Sequence, residues 1–249
     1  MKRYFIYLAY NGKAYCGWQV QPNAITVQEV IEKALFTLLR TEVPIVGAGR
    51  TDSGVHARTM VAHFDYDGLP EAKQLVNKLN GILPKDIAVH DIVAVKSGAH
   101  ARFDATSRLY RYYTTTSKDP FLHPFKHKVQ HPLDVEAMNA CASILYEYVD
   151  FTSFSKLHTD VKTNNCKVMH ALWEKSEDND YIFTIKADRF LRNMVRAIVG
   201  TLLEAGKGKL NEQGMRRIIE AKSRNAAGTS VPGNALFLEE VDYPQDIFL

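Results

Sequence analysis

The sequence predicts an α+β protein of two ferredoxin-like (split β-α-β) halves, with antiparallel sheets, helices on one face and an active-site cleft between the halves. Two observations carry the prediction. Hydrophobic periodicity switches between strand and helix spacing in the order β-α-β-β-α-β, and the rest of the chain repeats that order with one helix added. The 249 residues, 46% hydrophobic and 24% charged, suffice for two small domains with real cores. The boundary falls within Ser97–Ser107 and divides the chain into residues 1–104 and 105–249.

In the first half, Arg3–Tyr10 alternates polar with aromatic or aliphatic positions and reads as a strand. Thr26 and Glu29 have capping-box spacing, and Val27, Val30, Ile31, Ala34, Leu35 and Leu38 follow at helical intervals to Arg40. Val43–Gly47 and Met60–Tyr66 are strands on either side of a turn. Pro70 introduces a second helix carrying Leu75, Val76 and Leu79, stopped by Gly81 and Pro84. Ile87–Lys96 closes the half as a strand. In the second half, Arg108–Thr116 is a strand and Leu133–Tyr146 a helix. Lys167–Lys175 and Tyr181–Ala187 pair as strands around a turn at Ser176–Asp180. Phe190–Ala205 is an amphipathic helix, Asn211–Ala221 a shorter one, and Leu236–Val241 the last strand.

Composition excludes several classes. No apolar run reaches the ~18 residues of a membrane span, and the N-terminal residues lack the pattern of a signal peptide. Three widely spaced cysteines at 16, 141 and 166 predict reduced thiols in a cytoplasmic protein. The net charge is only +3, but it is unevenly spread. Lys186–Arg224 holds ten Lys or Arg against four acids, and Lys85–Lys128 holds eight against four among several aromatic residues. Such segments suit nucleic acid, where cations neutralise phosphate and rings stack on bases, or simply a solvated basic face.

The most informative segment is Gly49-Arg50-Thr51-Asp52-Ser53-Gly54-Val55-His56-Ala57. It sets one carboxylate in a turn, with a guanidinium two residues earlier and glycines at 47, 49 and 54 that permit sharp bends or close approach. Asp52 is therefore a candidate nucleophile or base, although Thr-Asp-Ser-Gly taken alone is ordinary turn chemistry. Other chemistries fit poorly. Gly47-Ala48-Gly49 lacks the third glycine of a dinucleotide loop, and no Gly-Lys-Ser/Thr phosphate loop is present. His123, His127 and His131 are interrupted by Pro124 and Pro132, against a metal-binding helix face. Ser53 lacks the Gly-x-Ser-x-Gly setting of an esterase nucleophile. Asp52-Ser53-Gly54 does match the triplet of aspartic proteases, but a single copy would need a homodimer and the helix-rich pattern opposes that fold.

Five segments together resemble the TruA family of tRNA pseudouridine synthases along nearly the whole chain. Gly49–Ala57 is similar to that family's Gly-Arg-Thr-Asp-Ala-Gly-Val-His-Ala signature. Before it, Tyr10-Asn11-Gly12 and Tyr15-Cys16-Gly17-Trp18-Gln19 resemble Tyr-Asp-Gly and Tyr-x-Gly-Trp-Gln. After it come Arg108-Leu109-Tyr110-Arg111-Tyr112, Asp150-Phe151-Thr152-Ser153-Phe154, and Phe190-Leu191 with Met194-Val195-Arg196 and Ile198-Val199-Gly200, in the family's order. Three departures stand out: Ser53 replaces alanine, Ala235 precedes Leu236 where glycine is common, and Asn164-Asn165-Cys166-Lys167 replaces an arginine-containing stretch.

The resemblance implies isomerisation of uridine to pseudouridine at positions 38, 39 and 40 of the tRNA anticodon stem-loop, with no cofactor and no metal. It implies that Asp52 is the essential carboxylate, acting as nucleophile at carbon 6 or carbon 1′ or as a base toward a sugar proton. Arg196 would pair with Asp52, Tyr110 would lie against the target uracil, and Arg50 would enter the stem to hold the flipped-out state. Leu236 would line the substrate site. The implied partners are tRNA and a second copy of the chain, with no membrane. A non-catalytic RNA-binding module is the alternative, opposed by the intact trio Asp52, Tyr110 and Arg196.

Overall fold

A computed structural model describes residues 1–156, 162–176 and 180–249. The chain forms two compact units, Met1–Thr106 with Leu238–Leu249, and Ser107–Phe237. The last twelve residues thus group with the first unit rather than with the residues they follow in sequence.

In the first unit the elements are β1 (Lys2–Tyr10), α1 (Val27–Leu39), β2 (Val46–Gly47), β3 (His56–Tyr66), α2 (Ala72–Ile82) and β4 (Ile87–Val95). The sheet order is β4-β1-β3-β2, all antiparallel, as a split β-α-β unit requires. Thr26 caps α1 by accepting the Glu29 N–H at 3.4 Å. The Glu29 side chain pairs with Lys33 instead of returning to the cap, so the predicted box is half made. Phe5, fully buried on β1, packs edge-on against Tyr243 and Phe248, with ring centroids 4.9 and 6.3 Å away. Burying such a ring contributes roughly 1.5–3 kcal/mol. That contact explains why the C-terminal segment joins this unit.

Three boundaries differ from the sequence reading. The strand expected from Met60 begins at His56, because Ala57 pairs with Tyr10 of β1 across a bulge. The predicted strand Val43–Gly47 contracts to Val46–Gly47, because side chains occupy the Ile45 backbone. Ile45 N–H donates to Glu32 Oε1 at 2.9 Å, and Gln28 Nε2 donates to the Ile45 carbonyl at 3.0 Å. Gly81 does not stop the second helix but lies within it, at an exposed position where a Cβ would meet nothing within 4 Å.

The second unit contains β5 (Ser107–Thr115), β6 (His127–Lys128), α3 (Val135–Ser143), β7 (Val168–Lys175), β8 (Asp180–Ala187), α4 (Met194–Gly206), α5 (Glu212–Glu220) and the start of β9 (Leu236–Asp242). Its order β5-β8-β7 is antiparallel, and β6, which the sequence reading lacked, adds to β5 in parallel. Helix α3 packs on β7 and α4. The residues 177–179 of the predicted β7–β8 turn lie outside the described residues. The predicted helix Phe190–Ala205 begins only at Met194, because Asn193 takes a left-handed φ of 68° and holds Ser230 Oγ through its amide at 2.6 Å. Among the described residues, no helix is long and apolar enough to cross a membrane.

The first unit also carries a pH-sensitive cluster. His63 is 6% exposed, accepts the Ala101 N–H at Nδ1, and meets the His100 ring at 4.4 Å. Burial first, then the charges of His100 and Arg3, push its pKa down to about 4. The unfolded chain binds that proton near pH 6.5, so between these values the unfolded state holds more protons. Stability is therefore expected to be intact above pH 6.5 and to fall on acidification, by up to ~1.4 kcal/mol per pH unit. His63→Asn keeps an acceptor for Ala101 and should flatten this limb in urea titrations across pH 4–7. His100, also pushed down by burial, leaves part of the slope. An unchanged slope would count against His63 as its source.

Candidate active site

The Asp52 turn is built by the segment that precedes it in sequence. Asp52 accepts the Val55 N–H at its backbone carbonyl at 3.1 Å, closing a four-residue turn. Gly54 stands third in that turn with φ 78°, where a type II turn needs positive φ. Around it, Trp18 N–H donates to the Thr51 carbonyl at 3.3 Å and Gly54 N–H to the Tyr15 carbonyl at 3.3 Å. Tyr10 Oη and Thr51 Oγ1 share a buried hydrogen bond of 2.9 Å. Tyr15 Oη donates to Asp86 at 2.7 Å; burial and that bond push its hydroxyl pKa up, so it stays protonated. Asp52 itself is half-buried, while Arg50 on the same turn is exposed.

Glycines allow this close assembly at specific positions. A Cβ on Gly12 would lie 2.0 Å from the Val55 carbonyl oxygen, and one on Gly17 would lie 2.3 Å from that of Thr51. Gly17 also has φ 86°. Gly47 is approached by the Trp18 indole, whose Nε1 would sit 2.4 Å from an added Cβ. Gly49 is different: a Cβ there would meet open space, so the expected close approach holds at 47 but not at 49. Ser53, the departure from alanine, donates from Oγ to the Tyr15 carbonyl at 3.3 Å and adds one more tie to the turn.

In the second unit, Arg196 and Tyr112 meet one short segment. Arg196 on α4 is half-buried and donates from Nε to the Val231 carbonyl at 2.7 Å. Val231 N–H donates back to the Arg196 carbonyl at 3.2 Å. Tyr112, fully buried on β5, donates from Oη to the next carbonyl, Pro232, at 3.0 Å. Tyr110 shares the face of β5 with Tyr112; it is half-buried and meets Phe190 edge-on at 5.2 Å. Leu236, four residues beyond Pro232, is buried at the start of β9. Backbone contact between α4 and this segment is tight, because a Cβ on Gly200 would fall 1.9 Å from the Thr229 carbonyl oxygen. Two departures are placed by the structure. Ala235 is fully buried in a short 3-10 helix, and Asn164–Cys166 folds onto the 149–152 turn through the Phe151 and Cys166 N–H groups.

The sequence reading missed the structural role of Gly12, Gly17 and Trp18. The available signal was their two glycines and large aromatic just before a predicted helix, a pattern suited to close backbone approach. Among the described residues, no group of three or more His, Cys, Asp or Glu side chains is gathered to hold a metal.

The α+β scaffold thus carries one acidic residue, Asp52, on a turn tied through its own backbone and its neighbours. The family profile described as tRNA pseudouridine synthase matches residues 6–104 and 148–244. A tRNA pseudouridine synthase A of Parabacteroides distasonis is 63% identical over 249 residues, covering all of this chain and 98% of that protein. Its namesakes from Bacteroides fragilis and Bacillus subtilis are 59% and 40% identical, covering 100% and 95% of this chain and 99% and 97% of their own lengths. The chain belongs to the tRNA pseudouridine synthase family, and it is an isomerase. The protease and non-catalytic readings give way to this one.

Proposed function

We propose that the chain converts uridine to pseudouridine at positions 38, 39 and 40 of the tRNA anticodon stem-loop, in the cytoplasm and as a homodimer. The observation that carries this reading is the clamped Asp52 turn, which holds the backbone of an acidic residue in a family whose reaction is proposed to depend on one. The uridine N1–C1′ bond breaks and a C5–C1′ bond forms, N1 gains a proton and C5 loses one. The reaction is redox-neutral and calls for no co-reactant. A stacked uridine cannot present its glycosidic bond to a protein side chain, so the base must leave the stack. Arg50, exposed on the turn, suits a role in holding that state. Tyr110 is proposed to face the uracil, Leu236 to line its site and Arg196 to pair with Asp52, on the strength of the family resemblance. tRNA carrying tritium at uridine C5 should release it to water in proportion to the pseudouridine formed. Retention of tritium would end this reading, and a monomeric mass in light scattering would end the homodimer.

Arg196→Ala is expected to lower stability as well as activity. It removes the bond to the Val231 carbonyl, worth about 1.5–3 kcal/mol for a charged donor, and the proposed counter-charge of Asp52. Urea denaturation and a tritium-release assay would measure the two losses. A variant as stable as the parent would count against a structural part for Arg196.

A further inference from the structure

We propose that His56 is a positioning residue for Asp52, acting through the Gly12 loop rather than exchanging a proton with the substrate; this rests on the isomerase reading above. The side chain is 1% exposed and stands at the first position of β3, four residues after Asp52. Its Nδ1 accepts the Gly12 N–H at 3.0 Å. A ring nitrogen that accepts a backbone N–H must present a lone pair, so His56 is neutral with its proton on Nε2.

Gly12 is held from two sides, by the His56 ring and by the Val55 carbonyl that leaves no room for a Cβ. Val55 in turn closes the Asp52 turn through its N–H. The next link runs back to the same turn. Asn11 N–H donates to the Asp86 carbonyl at 2.8 Å, the Asp86 carboxylate accepts from Tyr15 Oη, and the Tyr15 carbonyl accepts from Gly54 N–H and Ser53 Oγ. His56, Gly12, Asp86 and Tyr15 therefore close a ring of contacts around the residues that carry Asp52. Without the Nδ1 acceptor, the Gly12 N–H is buried and unsatisfied, and the ring opens on one side. A displacement of about 1 Å at a reacting group can lower a rate about 10²-fold.

The test compares His56→Ala with His56→Asn, whose Oδ1 falls where Nδ1 lies and can take the Gly12 N–H. His56→Ala should lower kcat about 10-fold or more while KM for tRNA stays within about 3-fold. His56→Asn should restore kcat to within about 3-fold of the parent and keep the parent's pH profile between roughly pH 6 and 9. Ring ¹⁵N NMR of the parent should report a neutral Nε2–H tautomer. The proposal is overturned if Asn is as impaired as Ala, if the Asn variant loses a limb of the pH profile, if Ala is fully active, or if the proton lies on Nδ1. Should the Ala variant fail to fold, the Asn kinetics and the tautomer decide. A parent that forms no pseudouridine would overturn the isomerase reading instead, and the ¹⁵N signal would still report on His56.

Discussion

Asp52→Ala is expected to abolish pseudouridine formation, by on the order of 10⁴-fold or more, while tRNA binding survives. The substitution removes one carboxylate and leaves the scaffold that holds it. The turn is closed by the backbone of Asp52 and Val55, and it is anchored through Thr51, Ser53 and Gly54. None of those bonds uses the Asp52 side chain, so the turn should keep its fold, while loss of the proposed pair with Arg196 should lower the melting temperature. Asp52→Asn sharpens the result, since it preserves the shape and removes the charge. Either a nucleophile or a base requires an ionised oxygen at this place, and an amide supplies none. Filter binding and pseudouridine mapping on the same preparations would separate affinity from chemistry. Substantial conversion by the Ala variant would remove Asp52 from the mechanism.

The second large effect is expected at a residue with no functional group. Gly17→Ala must place a Cβ 2.3 Å from the Thr51 carbonyl oxygen, on a residue whose φ is 86°. The left-handed conformation alone disfavours a side chain by roughly 1–2 kcal/mol, and the clash can be relieved only by moving backbone. The strand of contacts from Trp18 N–H to the Thr51 carbonyl lies directly against Asp52. Stability should fall by about 2 kcal/mol or more, and activity by about 10²-fold in whatever fraction remains folded. Gly81→Ala is the matching control. Its Cβ meets open space within α2, so it should gain up to about 1 kcal/mol of helix stability without touching activity. Equal behaviour of the two variants would show that the glycine at 17 is not a structural requirement.

Periodicity and turn chemistry made the element order legible, because both are local. The helix from Val27, the strand ending at Tyr10 and the pairing of β7 with β8 follow from neighbouring residues alone. What escaped depends on partners distant in sequence. Ile45 reads as strand, yet Gln28 and Glu32 take its backbone groups and shorten β2. Phe190–Asn193 reads as helix, yet Asn193 turns left-handed to reach Ser230. Gly81 reads as a stop, although one glycine weakens a helix without ending it. The acid at Asp52 was legible from its signature, but the clamp around it was not. The glycines beside Trp18 mark a close approach, but no local pattern names Val55 and Thr51 as what touches them, or announces that His56 accepts from Gly12. Arg196 reads as a cation among apolar neighbours that needs a partner, and a backbone carbonyl at Val231 is one such partner.

Without any added factor, the protein should turn uridine into pseudouridine in the anticodon stem-loop. Carbodiimide mapping of unmodified tRNA after incubation with the purified protein and no added cofactor tests it most directly. The expected result is new reverse-transcription stops at positions 38, 39 and 40, absent with Asp52→Ala. Unmodified uridine at all three positions, or stops that persist with Asp52→Ala, would contradict it.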